Sequence, residues 1–147
     1  MSRVLGVDVG TVRVGLAISD PGQTVATPLD TLEAGDASAE DWPEDLAGRL
    51  AAVATERLCD TVVIGLPRGM SGRDTTSTRT ARAVAAALES AGLDVALWDE
   101  RLSSAEAERV LLDAGRRRAQ RRDDRDRVAA ALILQGWLDA RAQRRRV

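Results

Sequence analysis

Three acidic residues stand at positions where the surrounding pattern is apolar. Asp8 interrupts the run Val4-Leu5-Gly6-Val7-Asp8-Val9-Gly10, which otherwise reads as a strand buried on both faces. An uncompensated carboxylate in such a place is costly to desolvate. The chain contains no Lys and no His to pair with it. A divalent cation would compensate Asp8, and so would hydrogen bonds to the Gly10-Thr11 turn; Asp8 alone does not decide between them. Glu100 follows the short apolar stretch Asp94–Trp98, where strand alternation sets Ala96, Trp98 and Glu100 on one face and Val95, Leu97 and Asp99 on the other. Asp99-Glu100 read in isolation is also a solvated acidic turn before a helix cap at Ser103 or Ser104. Asp126 heads a helical stripe with Ala129, Ala130, Ile133 and Trp137, and Asp123 lies one turn earlier near the same face. Acidic residues also favour helix N-termini through the dipole, which suffices for Asp124.

Carboxylates gathered at one point repel and raise at least one pKa unless cations bind among them. Two Mg²⁺ ions about 4 Å apart would relieve that repulsion and clamp the attacking and leaving oxygens of an in-line phosphoryl displacement. The remaining inventory agrees. Without His there is no Ser-His-Asp or Cys-His nucleophile and no imidazole metal site. The single Cys59 excludes an internal disulfide and a multi-Cys zinc site, and reads as a small buried hydrophobe. Carboxylates, hydroxyls and Arg are left, a set suited to Mg²⁺ or Mn²⁺.

The elements that must position these residues are legible in outline. A chain of 147 residues with 44% hydrophobic and 30% charged residues fits one globular domain over 1–147. Arg3–Gly10, Val12–Ser19 and Thr24–Leu32 read as three strands joined by tight turns, the third irregular or at an edge because of Pro28. Helical periodicity begins at Glu44, and Thr61–Leu66 is a fully apolar strand followed by a Gly-rich loop over 67–72. A helix over Thr75–Ala91, a strand over Asp94–Trp98, a helix over Ser104–Asp113 and a last helix over Asp124–Arg141 complete the chain. The order predicts a mixed α/β sheet, with the fourth and fifth strands parallel to the first. Sites in such sheets form beyond the carboxyl ends of parallel strands, here at Asp8–Thr11, Leu66–Gly72 and Asp99–Arg101. Trp98 and Trp137 lie in apolar patterns and are expected in the core. Trp42 in its acidic segment fits either an exposed contact or a cover over the core.

Taken together, Leu5–Gly10 with Arg13-Val14-Gly15 and Ser19-Asp20, Gly65-Leu66-Pro67 with Gly72, Asp99-Glu100-Arg101-Leu102-Ser103, and Asp126-x-x-Ala129-Ala130 resemble the YqgF/RuvX family. Each motif is weak alone; their order and spacing over nearly the whole chain are specific. The resemblance implies a pre-16S rRNA nuclease related to the Holliday junction resolvase RuvC within the ribonuclease H-like fold. It implies a five-stranded sheet of order 3-2-1-4-5, strands one to three antiparallel, flanked by helices. Asp8, Glu100 and Asp126 match the family's metal-binding acidic positions and would be catalytic, with Asp123 a further candidate ligand. Ser103-Ser104 stands where the family usually has Thr, which keeps the hydroxyl.

The net charge of −2 is unevenly spread: residues 1–60 carry 4 Arg against 11 acidic residues, and residues 61–147 carry 17 Arg against 12. A basic half suits a polyanion, although charged runs are also ordinary solvated surface. Arg13, Arg68, Arg73 and Arg101 lie on segments expected around the carboxylates, where phosphate contacts are natural. Arg101 can equally pair with Asp99, and Arg13 can be plain strand surface. Arg116, Arg117, Arg118, Arg121 and Arg122 suit generic polyanion contact in a flexible basic loop over 115–123, with a basic tail over 141–147.

The leading expectation is therefore a Mg²⁺- or Mn²⁺-dependent endonuclease processing the 5′ end of pre-16S rRNA in the cytoplasm, without a signal peptide or membrane span. Competing readings are cleavage of branched DNA, a non-catalytic RNA-binding assembly factor, and an actin-like nucleotide-binding protein suggested by Asp8-Val9-Gly10-Thr11. The last lacks the second Gly-rich phosphate loop and the length for two such domains.

Overall fold

Five strands and three helices form three layers in a computed structural model that describes residues 2–10, 12–66, 76–100 and 122–145, the side chains of 76, 122–126 and 145 excepted. In chain order they are β1 (Arg3–Val9), β2 (Arg13–Ser19), β3 (Ala26–Glu33), α1 (Trp42–Glu56), β4 (Cys59–Leu66), α2 (Thr76–Ser90), β5 (Asp94–Asp99) and α3 (Arg122–Arg145). The loop expected over 67–72 and the helix expected over 104–113 lie outside the described residues.

The sheet order is β3-β2-β1-β4-β5, with β1–β2 and β2–β3 antiparallel and β1–β4 and β4–β5 parallel. This is the predicted ribonuclease H-like arrangement. Pro28 sits on the edge strand, opposite Ala17 at an irregularity between Leu16 and Ala17, where its missing N–H disturbs the ladder least. Gly10 closes the β1–β2 hairpin: its N–H donates to the Arg13 carbonyl at 3.0 Å, and a methyl group on Gly10 would lie 2.5 Å from that oxygen.

Alternation along the strands divides the interior in two. Leu5, Val7, Val9, Val14, Leu16, Ile18, Val62 and Ile64 face α1 and α2 in the larger core. Val4, Ala17, Val63 and the half-buried Ala96 and Trp98 face Ala130, Ala131, Ile133, Leu134 and Leu138 of α3. Cys59 is buried as expected, whereas Trp98 and Trp137, expected in the core, are partly buried and pack against the α3 core from its margin. Trp42 is a core residue rather than an exposed contact; it opens α1, and its indole N–H donates to the Ala34 carbonyl at 2.6 Å.

Small residues on the α3 side allow an unusually close approach. A methyl on Gly6 would lie 2.7 Å from Leu134 Cβ and 3.1 Å from the Ala130 carbonyl oxygen. One on Gly136 would lie 2.9 Å from Trp98 Nε1. The helix is also held lengthwise. The Ala26 N–H donates to Gln135 Oε1 at 2.8 Å, and Gln135 Nε2 donates to the Thr24 carbonyl at 3.0 Å. Arg141 stacks 4.6 Å from the Trp137 ring centroid and donates to Gln23, whose amide donates to the Ser2 carbonyl. Ser2 precedes β1, so the C-terminal part of α3 lies at the amino end of that strand, and α3 runs antiparallel to it.

Two segment expectations are revised. Residues 122 and 123, placed in the basic loop, belong to α3, and residues 141–145 of the expected tail continue the same helix. Packing of Leu138 and the Arg141–Trp137 stack carry the helix beyond its last periodic apolar residue. Among the described residues no helix is long and apolar enough to cross a membrane.

Gly6→Ala tests the close approach. Leu134 Cβ is anchored to the helix backbone and cannot swing away, so α3 must shift and stability should fall by about 1–3 kcal/mol. Urea denaturation measures it; an unchanged midpoint would show that α3 has slack here.

Candidate metal centre

Asp8 and Glu100 arrive from strands that are not neighbours. Val7 pairs with Ile64 across β1–β4, and Gly65 pairs with Trp98 across β4–β5. At the next level Asp8 on β1, Gly65 on β4 and the residues closing β5 form a row on the α3 face, at the carboxyl ends of the parallel strands. Two interstrand gaps separate β1 from β5 by roughly 9.6 Å, so direct contact needs side chains to reach over β4. Gly65 has none. Glu100 lies over it, with Oε1 3.0 Å from where a Gly65 methyl would be, and its carboxyl group hydrogen-bonds the Asp8 carboxyl group.

The electrostatics follow from that placement. Glu100 is pushed up to about 7, first by burial, then by the charge of Asp8 and the hydrogen bond to it, and last by the charge of Asp99. A hydrogen bond between two carboxyl groups requires a proton on one of them. The pair can therefore shed charge by keeping a proton or by binding a cation.

The third predicted carboxylate belongs to the first turns of α3. Ala130 lies against Gly6. Residue 126, four positions earlier, is about 6 Å further toward the carboxyl ends of the strands. Asp8, two positions after Gly6, is about 6.6 Å further the same way. The backbone of residues 123 and 126 thus lies toward the same end of the sheet as Asp8. The side chains of both fall outside the described residues, as do Arg68, Arg73, Arg101, Arg116, Arg117 and Arg118.

Of the basic candidates, Arg13 is described. It shares the face of Gly15 and Ala17, and Gly15 is directly opposite Asp8. Arg13 therefore belongs to the same face and the same end of the sheet as the carboxyl pair, half-buried at the start of β2. Sequence reasoning placed Asp8 and Glu100 at one edge but did not identify what lets them touch. The available signal was Gly65 inside an otherwise apolar strand, a position where close approach is the usual reason for Gly.

The donor set fits a hard dication. It consists of carboxylate oxygens with no imidazole or thiolate nearby; Cys59 begins β4, at its other end, where burial pushes its thiol up to about 11.

Known proteins resemble this chain both in sequence and in fold. The family model described as "RuvX: Holliday junction resolvase" matches residues 2–140. A protein of Lactococcus lactis subsp. cremoris (strain MG1363) is 42% identical over 142 residues, covering 96% of each chain. One from Myxococcus xanthus is 44% identical over 139 residues, covering 94% of this chain and 88% of that protein. Both carry the name "Putative pre-16S rRNA nuclease". Among solved structures, Thermus thermophilus RuvC in complex with Holliday junction substrate superimposes with a TM-score of 0.66 at 18% identity, covering 97% of both chains. The fowlpox virus Holliday junction resolvase superimposes with a TM-score of 0.57 at 12% identity, covering 94% of this chain and 99% of that one. Those two likenesses establish the fold, and the match along residues 2–140 establishes the family: the chain belongs to the RuvX family.

Proposed function

We propose that this RuvX-family nuclease hydrolyses phosphodiester bonds with Mg²⁺ or Mn²⁺ held by Asp8, Glu100 and Asp126, and that its substrate is the pre-16S rRNA of its own cell's cytoplasm. The contact between Asp8 and Glu100 carries the metal reading, because two half-buried carboxyl groups in contact require a proton or a cation. The names of close relatives carry the substrate reading. The family description favours branched DNA as a second reading.

A divalent metal held there would supply positive charge for the phosphoryl displacement and would make water a better nucleophile at neutral pH. Asp8 and Glu100 would offer oxygen ligands from the carboxyl ends of β1 and β5, and Asp126 would offer a third from the start of α3. The amino end of α3 adds a partial positive charge beside the acidic cluster and the incoming phosphate. Arg13, on the same face, holds a phosphate flanking the scissile one. Arg68, Arg73 and Arg101 extend that contact along the backbone, and Arg116, Arg117 and Arg118 add generic attraction. Asp123 is a further candidate ligand.

Saturating Mn²⁺ should raise the melting temperature of metal-free protein by about 5–10 °C, as binding at a hundredfold excess over Kd implies. Asp8→Asn should abolish the rise, and an equal rise in the variant would place the metal elsewhere.

The raised Glu100 has a defined consequence for the metal-free protein. The folded chain keeps this proton up to about 7, whereas an unperturbed Glu releases it near 4.5. Between those values the folded state binds more protons than the unfolded state, so stability falls as pH rises through the window. Urea midpoints at pH 5 and pH 7.5 in chelator should fall more steeply for wild type than for Glu100→Gln. Parallel pH dependence in the two proteins would show that Glu100 titrates normally.

A precursor 16S rRNA fragment and a four-way DNA junction, each incubated with Mn²⁺, distinguish the substrates. The RNA should be cut at its 5′ side, and Asp8→Asn and Asp126→Asn should slow the cut roughly a thousandfold. Cutting of the junction alone would favour the second reading, and undiminished cutting by Asp126→Asn would remove α3 from the centre.

A further inference from the structure

We propose that Gly65 is a positioning residue for the nuclease centre, because the side chain it lacks is the space through which Asp8 and Glu100 meet across β4. The inference rests on the metal reading above and assigns a role to a residue that ligates nothing.

On the α3 face of β4, Val63 is fully buried beneath the helix, and Gly65 is the next residue on that face. The volume a side chain at 65 would fill is claimed from two directions. Ile133 of α3 reaches in with Cδ1 2.4 Å and Cγ1 3.0 Å from the hypothetical methyl, and Glu100 Oε1 lies 3.0 Å from it. Gly weakens a strand interior and packs nothing, so its place in the middle strand of the parallel trio calls for a close neighbour. Here there are two neighbours, one structural and one chemical. A methyl would press on the helix through Ile133 and on the carboxylate through Glu100. Metal ligands tolerate little displacement, because a site a fraction of an ångström too loose loses affinity.

The two pressures are separable. Ile133→Ala removes both atoms that meet the methyl from the helix side, so in Gly65→Ala/Ile133→Ala the remaining conflict is with Glu100. Ile133→Val, which deletes the atom at 2.4 Å, offers a milder background for the same comparison. Mn²⁺ binding to each full-length protein is measured by calorimetry, with circular dichroism verifying the fold. Ile133→Ala alone should bind as wild type does, and adding Gly65→Ala should weaken binding by about tenfold, the scale on which supporting residues act on metal affinity. In a Glu100→Gln background the same added methyl should change nothing further, because its effect passes through the Glu100 carboxylate.

Equal binding by Ile133→Ala and the double variant overturns the proposal. So does a loss of the same size with and without Glu100, which would mark Gly65 as a packing residue only. If wild type and Glu100→Gln bind Mn²⁺ equally, the metal assignment of Glu100 fails first, and the role of Gly65 falls with it.

Discussion

The candidate site depends on one contact, the hydrogen bond between the carboxyl groups of Asp8 and Glu100. Asp8 lies on β1 and Glu100 directly follows β5, two strands separated by β4, and each residue is half removed from water. Such a pair carries one proton, or accepts a cation, or drifts apart. Drifting is prevented by the strands themselves: β1 is hydrogen-bonded on both sides, and β5 is tied to β4 from Thr61↔Asp94 through Leu66↔Asp99. The sheet thus supplies the rigidity that keeps two like groups in contact and makes the point receptive to positive charge.

The two faces of the sheet divide the work. On one, branched aliphatic side chains from β1, β2 and β4 interlock with α1 and α2 and form the larger core. On the other, glycines and alanines dominate, and α3 approaches so closely that Gly6 and Gly136 each leave no room for a methyl. Close approach limits sliding and rotation of the helix. Gln135 fixes it against β3, and Arg141 fixes it against the turn that contacts Ser2. Register set at the far end of the helix determines where its first turns lie at the other end. Packing on the α3 face therefore also fixes which end of the sheet the first turns of the helix approach, the end that carries Asp8.

Much of this was legible along the chain because it depends on local chemistry. Strand alternation assigned Glu100 to the face of Ala96 and Trp98, and apolar helical spacing aligned residue 126 with Ala130 and Ile133. Pro28 marked an edge strand because a residue without an N–H cannot serve a central one. Other features had no local signature. Trp42 sits among acidic residues yet is buried, because the Ala34 carbonyl accepts its N–H and the start of α1 folds it over the core. The extension of α3 to Arg145 rests on a cation stacked on Trp137 and on a glutamine more than a hundred residues away in sequence. Ser19 ends a strand, and nothing local shows that its buried hydroxyl accepts the Val4 N–H at 2.8 Å.

By itself the sequence determined which groups were available for chemistry and to which face of which element each belongs, since residue type and periodicity are properties of the chain alone. It restricted the reactive groups to carboxylates, hydroxyls and arginines, and its helical crossovers set the fourth and fifth strands parallel to the first. Only the tertiary structure decided that Asp8 and Glu100 touch, because contact across an intervening strand depends on an absent side chain at Gly65 and on the depth to which α3 settles. Those are matters of distance in three dimensions, and no spacing along a single chain encodes them.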